Sequence, residues 1–136
     1  MTTIDNIKVY LKKRGIKPSY QRMKIYEYLV THKNHPTVDM IYRDLVDQIP
    51  TLSKTTVYNT LKLFVQRNIS IIINIEDNET RYDADTSLHG HFKCRVCRRI
   101  YDINLDLSEV KMKTMKGFNV DEHHIYLKGT CNKCKN

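Results

Sequence analysis

Long apolar runs are missing from this sequence. The longest ones, such as IIINI at residues 71–75, are far shorter than the roughly 20 residues that a membrane-spanning helix needs. No apolar segment follows the first basic residues, so a secretory signal is not predicted. We therefore expect a cytoplasmic protein with no membrane partner. The 136 residues, 40% of them hydrophobic, are enough to bury a core in one domain or two small ones without disulfides.

Acidic residues are scarce in the first part of the chain. Residues 1–26 hold a single acid, Asp5, although the chain as a whole has a net charge of +8. This imbalance predicts a polyanionic partner such as DNA, although a basic surface that only aids solubility is the alternative. The basic residues of this stretch are Lys8, Lys12, Lys13, Arg14, Lys17, Arg22 and Lys24.

Helical spacing of apolar residues marks the first two helices. Ile4, Ile7 and Leu11 indicate one helix, which the RGIKPS segment interrupts. Ser19 is placed to cap a second helix that runs to about Thr31.

Two more helices are predicted further on. The third extends from Val38 to Ile49 by its apolar spacing, and Pro50 ends it. Ser53 is placed to cap the fourth, SKTTVYNTLKLFVQRN. Four residues of this helix are predicted to face the core: Val57, Leu61, Phe64 and Val65.

The outer face of the fourth helix is small and polar near its N-terminus. A helix, a tight turn and a helix of this kind is the layout of a helix-turn-helix, whose second helix enters the major groove. Asn pairs well with adenine, and Thr contacts phosphate or the thymine methyl group. A plain amphipathic surface helix is the alternative. The candidate DNA-binding residues are Arg22, Thr55, Tyr58 and Asn59, and Lys62 also faces outward.

Two β-rich runs follow the fourth helix. ISIIINIED and ETRYDAD are separated by a turn at Asp77 and Asn78, so they predict a hairpin. Helices followed by such a hairpin make a winged helix.

Cysteine occurs only in two Cys-x-x-Cys pairs. Two such pairs can direct four sulfurs at one ion and complete a tetrahedral site with no open position. We therefore predict a structural Zn(II) site, with redox dithiols or disulfides as the alternative. The predicted ligands are Cys94, Cys97, Cys131 and Cys134.

Two histidines stand just before the first cysteine pair. Because the four cysteines already complete one site, His89 and His91 would need an ion of their own, with Asp83 and Asp102 as nearby oxygen donors. A mixed nitrogen and oxygen set suits Mn(II), Fe(II) or Zn(II). The alternative is a pair of exposed histidines on one strand face.

Four segments occur in an order that resembles the ferric uptake regulator family: HPTVDMIYRDL, TTVYNTL, HGHFKCRVC and GFNVDEHHIYLKGTCNKC. The resemblance implies a homodimeric, metal-dependent bacterial transcription regulator that binds a pseudo-palindromic operator. The expected fold is α+β, with an N-terminal winged helix-turn-helix domain and a small α/β dimerisation domain carrying the Zn(Cys)4 site. We place these domains at residues 1–83 and 84–136, with a hinge at about 83–90.

The resemblance also implies a fifth ligand for the second ion, His35 of the HPT turn. A regulatory Fe(II) or Mn(II) would then be held by donors on both sides of the hinge, so metal binding would bias the domain arrangement. The ligand set is His35, Asp83, His89, His91 and Asp102. His123 and His124 are expected on a strand surface or at the dimer interface.

Three residues favour the peroxide-sensing branch of this family: Asn59, Gly90 and Asp102. This branch implies that bound Fe(II) reduces peroxide and that a ligand imidazole, His35 or His89, is oxidised, which relieves repression. Mn(II) would support DNA binding with little such reactivity. The protein would be a sensor and not an enzyme.

Three other functions compete with this interpretation. An iron- or manganese-responsive uptake regulator of the same fold would bind metal reversibly. A zinc hydrolase or deaminase would use His89 or His91 together with the cysteines. The deaminase signature needs His-x-Glu and Pro-Cys-x-x-Cys, whereas this chain has His89-Gly90-His91 and Lys93 before Cys94. A thiol switch would lose zinc under mild peroxide and leave the histidines unchanged.

Overall fold

The computed structural model describes residues 4–76, 79–87, 90–104, 116–119 and 124–135. Its contacts divide the chain into two units, Met1–Thr86 and Ser87–Asn136. The roles predicted for residues 1–83 and 84–136 stay predictions. Within the described ranges, no helix is long and apolar enough to cross a bilayer.

Four helices and a hairpin make up the first unit. The helices are α1 (Ile4–Lys13), α2 (Tyr20–Thr31), α3 (Val38–Leu45) and α4 (Lys54–Gln66), and the strands are β1 (Ile71–Glu76) and β2 (Glu79–Asp83). This order confirms the predicted winged helix and, with the sheet of the second unit, the α+β class.

Side-chain caps begin three of the helices. Each cap is a Ser or Thr in extended conformation whose hydroxyl accepts a hydrogen bond from the backbone N–H three residues later, which satisfies a donor that the helix leaves open. The caps predicted at Ser19 and Ser53 are confirmed. The bonds join Ser19 to Arg22 at 3.2 Å, Thr37 to Met40 at 3.2 Å and Ser53 to Thr56 at 3.0 Å.

The core of the first unit lies between the helices. Phe64 of α4 is fully buried, and the ring of Tyr26 on α2 meets it edge-on at 5.7 Å between centroids. Val57 and Leu61 are also fully buried, as predicted, whereas Val65 is half-buried at the edge of the core. Burial on one face leaves the opposite face of α4 in solvent.

The third helix is shorter than its apolar pattern predicts. It ends at Leu45, and residues 46–48 form a turn, so the predicted extension to Ile49 is wrong. Ile49 is nevertheless only 5% exposed, and its N–H bonds to the carbonyl of Leu45 at 3.0 Å. The turn keeps Ile49 on the buried side, which explains why the apolar spacing continues past the end of the helix.

The hairpin pairs β1 and β2 in antiparallel register. Ile72 lies opposite Tyr82 and Ile73 opposite Arg81, with an irregularity between Ile73 and Glu76. Tyr82 is buried in the core, which anchors β2 to the helices. The turn predicted at residues 77 and 78 lies outside the described residues.

A three-stranded sheet forms the described part of the second unit. Its strands are β3 (Gly90–Cys94), β4 (Ile100–Ile103) and β5 (Tyr126–Gly129), in the order β4-β3-β5. The central strand β3 runs antiparallel to β4 and parallel to β5.

Candidate metal centres and nucleic-acid interface

Parallel pairing of β3 with β5 brings the two cysteine pairs together. Cys94 ends β3 opposite Gly129, which is two residues before Cys131. All four cysteines are free thiols, and their Sγ atoms lie within 4.8 Å of one another. The Sγ atom of Cys97 lies 3.8 Å from that of Cys131, across the two pairs. The structure thus brings together all four predicted ligands, which are Cys94, Cys97, Cys131 and Cys134.

The backbone around this cluster favours thiolate. The N–H of Cys131 donates to Sγ of Cys94 at 3.4 Å, and the N–H of Cys97 donates to the same atom at 3.5 Å. The bond from Cys131 is the main reason why the pKa of Cys94 falls from 9.0 to about 6. Thiolate is the form of cysteine that binds metal. The lowered pKa of the buried Cys94 therefore suits it to bind a cation such as Zn(II) in a tetrahedral site.

The thiol of Cys134 behaves in the opposite way. A hydrogen bond with Cys131 is the first cause that raises the pKa of Cys134 to about 12. Four crowded thiols hold some of their protons because several negative sulfurs close together repel one another. A divalent cation removes that repulsion, so the donor set fits Zn(II).

A buried lysine braces the first cysteine pair. Lys93 is only 1% exposed, and its Nζ donates to the carbonyl of Arg98 at 2.7 Å. Arg98 has a φ of 68°, in the left-handed region, and its N–H returns to the carbonyl of Cys94 at 3.0 Å. These bonds close the loop that carries Cys94 and Cys97.

In the first unit, a histidine lies beside a carboxylate. Nε2 of His35 is 3.4 Å from Oδ2 of Asp83, with side chains 4% and 14% exposed. His35 precedes α3 with a φ of 52°, and Asp83 ends β2. Sequence patterns indicated Asp83 but gave no reason for His35 beyond the family resemblance. The pair offers one nitrogen and one oxygen donor to a cation.

A second such pair lies in the second unit. Nε2 of His91 is 3.4 Å from Oδ1 of Asp102, with side chains 4% and 41% exposed. The two residues are register partners on β3 and β4, so the sheet itself sets their distance. Predicted ligand His89 lies outside the described residues. His123 also lies outside them, and His124 is exposed, with its ring 6.2 Å from that of Tyr126.

Three of the predicted DNA-binding residues share the exposed face of α4. Thr55, Tyr58 and Asn59 are all exposed, Tyr58 to 50%. Arg22 is half-exposed in the first turn of α2, where its Nη1 donates to the carbonyl of Lys17 at 2.9 Å. The shape and polarity of the α4 face suit a major groove.

Arg81 is a residue near His35 that the sequence did not predict. Its guanidinium Nη1 donates to the backbone carbonyl of His35 at 3.0 Å, and its Nη2 donates to Oε1 of Glu79 at 2.7 Å. A signal was present in the sequence, since Glu79, Arg81 and Asp83 alternate along one strand and so share a face. The acceptor, 46 residues away, was not recognisable from that pattern.

Winged helix and cysteine cluster together define a DNA-binding metalloprotein. The ferric uptake regulator family matches the chain over residues 13–128. Because this match covers most of the sequence, the chain belongs to the ferric uptake regulator family, whose members are metal-dependent transcription regulators.

Known relatives cover nearly the whole chain. It is 36% identical to the peroxide operon regulator of Bacillus subtilis over 127 residues, covering 91% of this chain and 88% of that protein. It is 34% identical to the peroxide-responsive repressor PerR of Staphylococcus epidermidis over 128 residues, covering 92% of this chain and 85% of that protein. The solved structure of PerR from Streptococcus pyogenes superimposes with a TM-score of 0.56 at 28% identity, covering 99% of this chain and 95% of that one.

Proposed function

We propose that the chain is a metal-dependent transcriptional repressor that senses hydrogen peroxide in the cytoplasm. Family membership supports the metal-dependent repressor, and the similarity to two peroxide regulators supports the signal. One observation carries the proposal: each unit separately places a buried histidine within 3.4 Å of a carboxylate, at residues expected to bind the regulatory ion.

A structural Zn(II) ion is bound by the four cysteines. Support comes from their mutual distances within 4.8 Å and from the N–H groups directed at Cys94. Four thiolates fill a tetrahedral shell and leave no position for substrate, so the ion stabilises the fold and does no chemistry. Its binding energy contributes to folding of the second unit and to the homodimer that this unit forms.

The regulatory ion is Fe(II) or Mn(II). Its ligands are His35, Asp83, His89, His91 and Asp102, and the mixed imidazole and carboxylate set is typical of these ions. Because the five residues stand on both sides of the predicted hinge, the ion favours the arrangement of the units that allows all of them to reach it. That arrangement is the one that binds DNA.

The homodimer binds a pseudo-palindromic operator through α4 of each subunit. Thr55, Tyr58 and Asn59 read base edges in the major groove, and Arg22 contacts the phosphate backbone. The exposure of the three α4 residues supports this role. The two-fold axis of the dimer sets the spacing of the half-sites.

Peroxide acts on the ligand residues. Fe(II) held by these residues would supply the redox chemistry that activates peroxide beside the ligand imidazoles. One oxygen atom of peroxide would then be inserted into a ring C–H bond of His35 or His89, and the other oxygen would leave as water. The oxidised imidazole would bind the ion poorly. The units lose the arrangement that binds DNA, and repression ends.

Mass spectrometry of iron-loaded dimer treated with one equivalent of peroxide tests this proposal. Trypsin cleaves after Lys33, which separates His35 from the exposed His32 and gives an internal control. We expect one added oxygen on the His35 or the His89 peptide, with fragment spectra that exclude Met40, and none on the His32 peptide. Mn(II)-loaded protein should remain unmodified.

Two outcomes would contradict peroxide sensing by histidine oxidation. An unmodified iron-loaded protein that stays on DNA would favour a metal-responsive uptake regulator. Oxidation confined to the cysteines, with loss of zinc, would favour a thiol switch.

A further inference from the structure

One face of β2 carries three charged side chains in a row. Glu79, Arg81 and Asp83 alternate along the strand and point to the same side. Each makes a different contact: Glu79 bonds to Arg81 at 2.7 Å, Arg81 bonds to the carbonyl of His35 at 3.0 Å, and Asp83 lies 3.4 Å from the imidazole of His35. The strand thus contacts both the backbone and the side chain of His35.

The turn at His35 needs such support. Its φ of 52° lies in the left-handed region, which non-glycine residues rarely adopt, and Pro36 follows directly. The carbonyl of His35 accepts from Arg81, and the carbonyl of the fully buried Pro36 accepts from the N–H of Tyr82 at 3.0 Å. Two successive carbonyls of the turn are therefore bonded to successive residues of β2.

Arginine is the residue type that this place requires. The side chain of Arg81 is only 15% exposed, so water competes little for its hydrogen bonds. Its planar fork donates to His35 and Glu79 at the same time, and the Glu79 carboxylate holds the guanidinium in place. A lysine would bring one point charge in place of a fork and would hold the turn less firmly.

We propose that Arg81 is a positioning residue for the regulatory metal: by holding the carbonyl of His35, it directs the imidazole of His35 to the ion. This inference rests on the proposed function, in which His35 is a ligand. Without the guanidinium, the turn relaxes from its left-handed conformation and Nε2 of His35 leaves its place beside Asp83. Loss of a residue that orients a ligand lowers metal affinity by about 10-fold to 100-fold.

Mn(II) affinity tests the proposal in the zinc-loaded dimer. The spectrum of free Mn(II) in electron paramagnetic resonance gives the bound fraction directly, without any peroxide or DNA. We expect Arg81→Gln to weaken Mn(II) binding by about 10-fold to 100-fold and Arg81→Lys to restore part of the loss. Arg43→Gln is the matched control, because Arg43 has a 70% exposed side chain, and it should bind Mn(II) as the wild type does.

His35→Ala separates failure of the inference from failure of the proposed function. If His35→Ala binds Mn(II) with wild-type affinity, His35 is not a ligand and the proposed site is wrong. If His35→Ala loses affinity but Arg81→Gln does not, the site stands and the role of Arg81 is overturned. A lower melting temperature of Arg81→Gln with unchanged Mn(II) affinity also overturns it, because that result shows a structural role only. Should Arg81→Gln fail to fold, the affinity of Arg81→Lys decides: a wild-type value contradicts the proposal.

Discussion

The phenol of Tyr28 on α2 donates a 2.6 Å hydrogen bond to Oδ2 of Asp44 on α3. It joins two helices of the winged-helix unit whose buried residues, such as Leu29 and Ile41, belong to one apolar core. Burial raises the pKa of Tyr28 to about 12, so the phenol keeps its proton and donates. The same bond is the first cause that lowers the pKa of Asp44. The pair therefore contributes more stability while Asp44 is ionised than when it is protonated.

Stability should consequently fall on acidification in a way that depends on Asp44. A carboxyl group with a lowered folded-state pKa contributes stability above its unfolded pKa, about 3.9, and loses it as the pH falls through the folded pKa. We expect urea unfolding, followed by helical circular dichroism, to show a smaller loss from about pH 5 downward in Asp44→Asn than in the wild type. Asp47→Asn, in the exposed turn after α3, is the control. Equal acid sensitivity of wild type and Asp44→Asn would contradict this role.

Zinc binding should depend on Cys94. In Cys94→Ser the backbone N–H groups lose their thiolate acceptor and the ion loses one of four ligands, so the protein should lose zinc and dimerise poorly. Elemental analysis and sedimentation measure the two effects. Val96→Ser changes an exposed residue of the same loop and should keep both properties. A wild-type protein purified as a folded dimer without zinc would show that the assignment is wrong.

DNA discrimination should depend on Asn59. If its exposed amide reads a base, Asn59→Ala should lose about 1 to 3 kcal/mol of preference for the operator over random DNA. Binding isotherms at a fixed salt concentration measure this preference. Arg22→Gln, which removes a predicted phosphate contact, should weaken both DNAs alike and reduce the salt dependence. The assignment of α4 as the recognition helix fails if Asn59→Ala weakens both DNAs equally.

The carboxylate at position 102 should separate metal binding from oxidation. Asp102 lies opposite His91 across the sheet, and a longer Glu side chain changes how the Fe(II) shell is closed. Asp102→Glu should keep metal-dependent DNA binding but lose most histidine oxidation, as measured by band shift and by mass spectrometry of the same sample. If Asp102→Glu is oxidised as readily as the wild type, this carboxylate does not control the reactivity.

Much of the fold could be predicted because local signals agree with the tertiary structure. The helix caps at Ser19 and Ser53 could be predicted from the sequence alone, and the burial of Leu61 could be predicted from helical spacing. The end of α3 could not be predicted, because Ile49 stays buried through a turn and the apolar pattern does not record that change. Periodicity reports which side of a segment is buried, and only weakly where the segment ends.

The site residues, too, could be predicted only where a local sequence pattern marks them. The two cysteine pairs could be assigned to one zinc site, because each Cys-x-x-Cys turn can direct both of its sulfurs at a single ion. His35 could be identified only by family resemblance, because a histidine in a turn has no local pattern that marks it. Arg81 was missed because its acceptor is a backbone carbonyl, which every residue has. The spacing of charged residues along β2 shows which of them share a face, but it does not show which distant backbone group one of them bonds to.

The register of the hairpin limits which one-residue insertions β2 can accept without losing the metal site. Tyr82 enters the core while Arg81 and Asp83 face the other way, because successive side chains of a strand point to opposite faces. An in-frame insertion of one codon between Arg81 and Asp83 would place these two side chains on opposite faces of the strand. Core packing could recover by slippage, but the carboxylate and the guanidinium would then no longer both reach His35. Such an allele would encode a protein that still folds and carries an intact α4, yet no longer responds to metal.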